Sequence, residues 1–80
     1  MKTGDIVRLR PNSHNISLGL ITVPEGHPPW SPEWDVLTTF AWSDVGLVTQ
    51  VMRRADGHLC VKLFTSRGSG WIEGCELTNL

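Results

Sequence analysis

Eighty residues leave room for one domain and one core, so the expected unit is a single fold over 1–80. A hydrophobic share of 40% with 19% charged residues excludes a disordered chain, and no stretch approaches the roughly 20 apolar residues of a membrane span. The net charge of −1 speaks against a dedicated nucleic-acid binder, and it is unevenly spread: residues 11–44 hold Glu25, Glu33, Asp35 and Asp44 with no Lys or Arg, while the rest carries +3.

Behind Met1-Lys2-Thr3 there is no apolar run of signal-peptide length, which predicts a cytoplasmic location in the producing cell. Gly4-Asp5 opens a strand, Ile6 to Arg10, with Val7 and Leu9 on one face and Arg8 and Arg10 on the other. Pro11, lacking an N–H, ends it. Residues 11–44 are too many for a structureless connection, so they are read as an insertion or long hairpin. Ile16-Ser17-Leu18 and Leu20 to Val23 form its first arm, Val36 to Trp42 its second, and Pro24 to Asp35 its tip. In the second arm Val36, Thr38, Phe40 and Trp42 would share one face. Ser31-Pro32-Glu33 also fits a helix start, with Ser as N-cap and Pro at the first helical position, so a short helix over 32–42 is the competing reading.

The meander over 46–73 is better marked. Gly46 to Met52 is rich in strand formers, and Asp56-Gly57 suits the positive φ angles of a tight hairpin turn. His58 to Phe64 alternates with Leu59, Val61 and Leu63 inward. Ser66 to Gly70 reads as the next turn, Trp71-Ile72-Glu73 as a short strand, Gly74-Cys75 as a bend, and Glu76 to Leu80 as the last strand. The expected core is Leu9, Val48, Val51, Val61, Leu63 and Leu77. Trp71, Trp42 and Phe40 are expected to pack against it.

The matching pieces are Gly4-Asp5-Ile6-Val7-Arg8, Val45 to Val51, Val61-Lys62-Leu63-Phe64, Gly70-Trp71-Ile72 and Glu76-Leu77. Their order resembles the SH3-like barrel, and in particular the small SH3-like proteins encoded by tailed bacteriophages. The resemblance implies an all-β barrel of about five strands with an expanded first, RT-type loop. It covers the scaffold and leaves 11–44 unmatched. Gly4-Asp5 with the later Gly46-Leu47-Val48 is also similar to the KOW motif of ribosomal and transcription factors.

The tip is the most distinctive segment, with four of the five prolines and two of the four Trp within twelve residues. Proline stiffens a loop and lowers the entropy lost on docking, and Trp is enriched among interface hot spots. Pro29, Trp30, Pro32, Glu33, Trp34 and Asp35 are therefore the candidate partner-binding residues. The plainer reading makes Trp30 and Trp34 a lid over a core short of material. Arg8, Arg10, Arg53 and Arg54 are the candidates for phosphate contact, against a solvated strand face. His14, His27 and His58 lack metal-ligand spacing with Cys60 or Cys75, and two reduced thiols are expected. No nucleophile motif or spaced carboxylate pair points to catalysis.

The expected function is a non-enzymatic protein–protein interaction module that needs no cofactor or metal. By the resemblance it is a phage accessory or virion structural protein of capsid, neck or tail. Its partner would then be itself, as a homo-oligomer, or another virion or host protein. The alternatives are a KOW-like binder of nucleic acid or of the transcription machinery, and a phage inhibitor of a host protein.

Overall fold

The computed structural model describes residues 1–11 and 17–80; His14 and Ile16, read above, lie outside the described residues. The described chain is all-β. It runs through β1 (Ile6–Leu9), β2 (Ser17–Thr22), β3 (Asp35–Ala41), β4 (Gly46–Arg53), β5 (Leu59–Thr65) and β6 (Gly68–Glu73), then a 3-10 turn at Gly74–Glu76 and β7 (Leu77–Asn79). These seven strands, rather than about five, form one antiparallel sheet in the order β3-β2-β6-β5-β4-β1-β7. The two added strands are the arms of the insertion, paired over Ser17↔Ala41 to Thr22↔Asp35.

The sheet curls into a half-barrel because every strand places apolar residues on the same face. Val7, Leu9, Leu20, Phe40, Val48, Val61, Leu63, Ile72 and Leu77 come from all seven strands and form one buried cluster, with Leu18 and Val51 packed against it. At about 1.5–3 kcal/mol per fully buried aliphatic or aromatic side chain, this cluster is the principal term holding the fold. The six expected core residues all belong to it or pack on it.

Between β4 and β5, Gly57 N–H donates to Arg54 O at 2.9 Å, and Asp56 Oδ1 accepts from His58 N–H at 3.1 Å. Gly57 alone takes a positive φ, +92°, so Asp56 keeps ordinary geometry and the turn is not the doubly left-handed one expected. The β5–β6 turn is also tighter than expected. Thr65 Oγ1 donates to Gly68 O at 2.8 Å and accepts from Arg67 N–H at 3.2 Å, closing the turn around Ser66 and Arg67. Gly68 to Gly70 thereby join β6. Gly70 faces inward, where an added Cβ would lie 2.7 Å from Leu20 Cβ, so glycine permits β2 to approach β6.

In β3 the strand reading holds over the competing helix, and the expected shared face fails. No α-helix forms among the described residues; 35–41 is strand. Val36, Thr38, Phe40 and Trp42 do not share a face. A bulge sets Leu20 opposite Thr38 but Ile21 opposite Val36, leaving Leu37 extra, and the side-chain phase switches there. Phe40 is buried, Val36 and Leu37 are exposed, and Trp42 lies exposed in the turn after the strand rather than in the core.

The sheet's two edges are blunted. Along β3 the bulge breaks the ladder. Arg67 Nη2 donates to Thr39 O at 2.9 Å, and Ala41 N–H is taken by Asp44 Oδ2 at 2.8 Å. β7 offers only three residues. Both are devices that prevent strand addition.

Candidate protein-interaction surface

The segment between β2 and β3 is ordered by its own turns. His27 N–H donates to Pro24 O at 3.0 Å, and Ser31 N–H donates to Pro28 O at 2.9 Å. Ser31 is buried, and its hydroxyl accepts from Glu33 N–H at 3.2 Å and lies 3.0 Å from His27 Nδ1. This is the bond a helix N-cap would make. Here it closes a two-residue side-chain turn, after which the chain extends into β3.

The loop folds back over the sheet. Lys62↔Trp71 and Cys60↔Glu73 are cross-strand partners whose neighbours Val61 and Ile72 point into the core, so Cys60 and Trp71 point outward. Both are nevertheless buried. What shields them is the insertion: buried Pro29, with Trp30, walls a cleft of ≈ 110 Å³ floored by Cys60 and Trp71, with Arg54 and Glu73 at its sides. Ligand pockets usually run about 300–1,000 Å³, so the cleft suits one side chain of a partner better than a metabolite. Pro29 acts as lid, while Trp30 and Trp34 remain 41% and 53% exposed. Pro32, Glu33 and Asp35 are exposed beside them. The structure therefore keeps five of the six candidate partner-binding residues exposed, four on the loop and Asp35 at the first position of β3.

A second apolar surface escaped the sequence reading. Ile6↔Leu47 and Leu47↔Phe64 are aligned across β1, β4 and β5 on the outward face, at 44%, 38% and 58% exposure. Exposed Val45 and the β3–β4 turn complete a groove of ≈ 390 Å³ beside them. The available signal was the pairs Ile6-Val7, Leu47-Val48 and Leu63-Phe64. A sheet apolar on one face alternates, whereas consecutive apolar residues make both faces apolar. Arg8 and Lys62 flank this row, each two residues from it along its own strand.

The four candidate arginines are split. Pairing of β1 with β4 ends at Val7↔Gly46, so Arg8 and Arg10 continue beyond the start of β4, while Arg53 and Arg54 sit at its far end. Arg10 Nε donates to Leu77 O at 3.4 Å, Arg53 Nη1 donates to Gly57 O at 3.0 Å, and Arg54 pairs with Asp56 at 3.2 Å. In the insertion, Asp44 pairs with Arg67. The Ala41 amide and the Arg67 guanidinium hold its carboxyl below the usual carboxylate range, against the opposing effect of burial. Among the described residues no ion pair joins Glu25, Glu33 or Asp35 to a base.

Both cysteines are free thiols, Cys60 buried and Cys75 exposed; burial pushes the Cys60 thiol up, and partial desolvation together with the neighbouring Glu73 carboxylate raises Cys75. Cys75 Sγ donates to Glu73 Oε2 at 3.5 Å. Among the described residues no group of three or more His, Cys, Asp or Glu converges to hold a metal, and no helix is long and apolar enough to cross a membrane. No protein-family model, curated protein or solved structure matches the chain.

Proposed function

We propose that the chain is a non-enzymatic protein–protein interaction module built on an SH3-like barrel, and that it serves as a phage-encoded accessory or virion structural and assembly protein, with the insertion as its contact element. The barrel reading is supported by connectivity. β1, β4, β5, β6 and β7 make a five-strand frame, the β2–β3 hairpin fills the first loop, and a 3-10 turn precedes the last strand. The phage assignment draws on the sequence resemblance.

One observation carries the interaction reading. Two half-exposed Trp, Trp30 and Trp34, stand on a loop that two turns and the seat of Pro29 have already ordered. A preorganised loop pays little entropy on docking, and exposed Trp is costly to keep in water without a partner. Nucleic acid is the weaker reading, because the arginines face different ends of β4 and Arg54 is already paired.

Single Trp30→Ala and Trp34→Ala variants test the proposal by thermal melting and by native mass, alone and in a bacterial lysate. Trp34→Ala should melt within a few degrees of wild type and lose association. Equal destabilisation by both variants with association untouched would reduce the loop to a lid and sink the proposal.

A further inference from the structure

We infer that the partner of the insertion is a second copy of this chain, received on the outward face of Ile6, Leu47 and Phe64. The inference rests on the interaction reading above and adds the occupant and the receiving site.

The two surfaces differ in charge. The insertion's Glu25, Glu33 and Asp35 are exposed and unneutralised by any described base, and Trp30 and Trp34 stand among them. The outward face has the reverse character: an apolar row of Ile6, Leu47 and Phe64 with two cations beside it, Arg8 and Lys62, neither in an ion pair among the described residues. The acid nearest the groove, Asp44, is already paired with Arg67. Aromatic-acidic on one side thus meets apolar-basic on the other, the complementarity that steers and orients association.

Connectivity keeps the two surfaces apart within one molecule. The insertion projects from the β2–β3 end of the sheet and closes on β6, whereas the receiving row lies across β5, β4 and β1. The walls of the ≈ 390 Å³ groove include no residue of the loop tip, so the groove is left for another chain. Unless it is reciprocated about a two-fold axis, a contact between two different patches is heterologous. It propagates head to tail and either closes into a ring or continues as a filament. The blunted edges of β3 and β7 favour this docking of side chains over sheet extension.

Sedimentation velocity of the wild type, then of two variants singly and mixed, tests the inference. Wild type should self-associate at ~50 mM salt, and the association should weaken by about tenfold at ~500 mM as the charges are screened. Trp34→Ala removes the docking element and Phe64→Ser the receiving face. Each should be monomeric alone, and an equimolar mixture should form a one-to-one dimer that grows no further, because one intact loop meets one intact face.

The charge variants Glu33→Lys and Arg8→Glu, both at exposed positions, guard against a folding defect. Each alone should associate weakly, and their mixture should recover. A wild type that stays monomeric to ~1 mM at low salt overturns the inference. So does a Trp34→Ala and Phe64→Ser mixture that stays monomeric while wild type associates, since an intact loop then fails to bind an intact face, and so does Trp34→Ala that still self-associates, since that marks a face-to-face contact. If wild type is monomeric but Trp34→Ala abolishes capture of a lysate protein, the interaction reading stands and the self-contact alone falls.

Discussion

Asp44 shows how one side chain can tie the insertion to the scaffold. Its carboxylate takes the Ala41 amide, which would otherwise lie on the edge of β3, and pairs with Arg67 from the β5–β6 turn. Both contacts favour the charged form, so the folded protein binds this proton less readily than the unfolded chain. A depressed carboxyl contributes stability above its unfolded value, about 3.9, and that contribution disappears as the pH falls through the lower folded value. Asp44→Asn should therefore melt below wild type at neutral pH, with the gap narrowing as the pH drops below about 4. Melting curves across that range check it. A gap that stays constant to the lowest pH would remove the ionic role assigned to Asp44.

At the scale of elements, the approach of β2 to β6 decides where the insertion sits. Among the described residues a single register pair, Ile21↔Trp71, joins the two strands, and inward-facing Gly70 lets Leu20 come close beside it. Gly70→Ala would set a methyl 2.7 Å from Leu20 Cβ and 3.1 Å from Ile21 O, and the backbone oxygen cannot rotate away. Overpacking of this kind costs about 1–3 kcal/mol. At roughly 4–8 °C per kcal/mol for a domain of this size, a thermal melt will resolve the loss. A wild-type melt for Gly70→Ala would mean that β2 is free to move off β6.

The scaffold was legible from alternation, because Val7 and Leu9, and Val61 and Leu63, keep one phase through regular strands. The arms of the hairpin were legible too. Its faces were not, because one extra residue, Leu37, reverses the phase and no local residue type announces a bulge. Nor could Ser31 be assigned from sequence. A hydroxyl bonded to the amide two residues on serves a helix start and a turn equally, and burial of Pro29 and the pull of the β2 ladder select the turn. The outward row at Ile6, Leu47 and Phe64 was encoded in doubled apolar positions that alternation counts as noise.

For the whole molecule, charge sets what it avoids. With a net charge of −1 and its arginines dispersed, affinity for generic duplex DNA at ~150 mM salt should be weaker than about 10⁻⁴ M. Micromolar binding that collapses with added salt, read by anisotropy of a labelled duplex, would bring back the KOW-like reading. The pairing of the first and last strands has a separate, mechanical consequence. Val7↔Asn79 and Leu9↔Leu77 run antiparallel, and Leu80 N–H donates to Ile6 O at 2.9 Å, so the outer ends of β1 and β7 lie at the same end of the sheet. Tension applied through the two ends of the sequence therefore loads the cross-strand bonds one after another, like a zipper, instead of shearing all of them together. The domain should yield at low force when pulled by its ends, and it would carry load far better through side-on contacts than as a link in series.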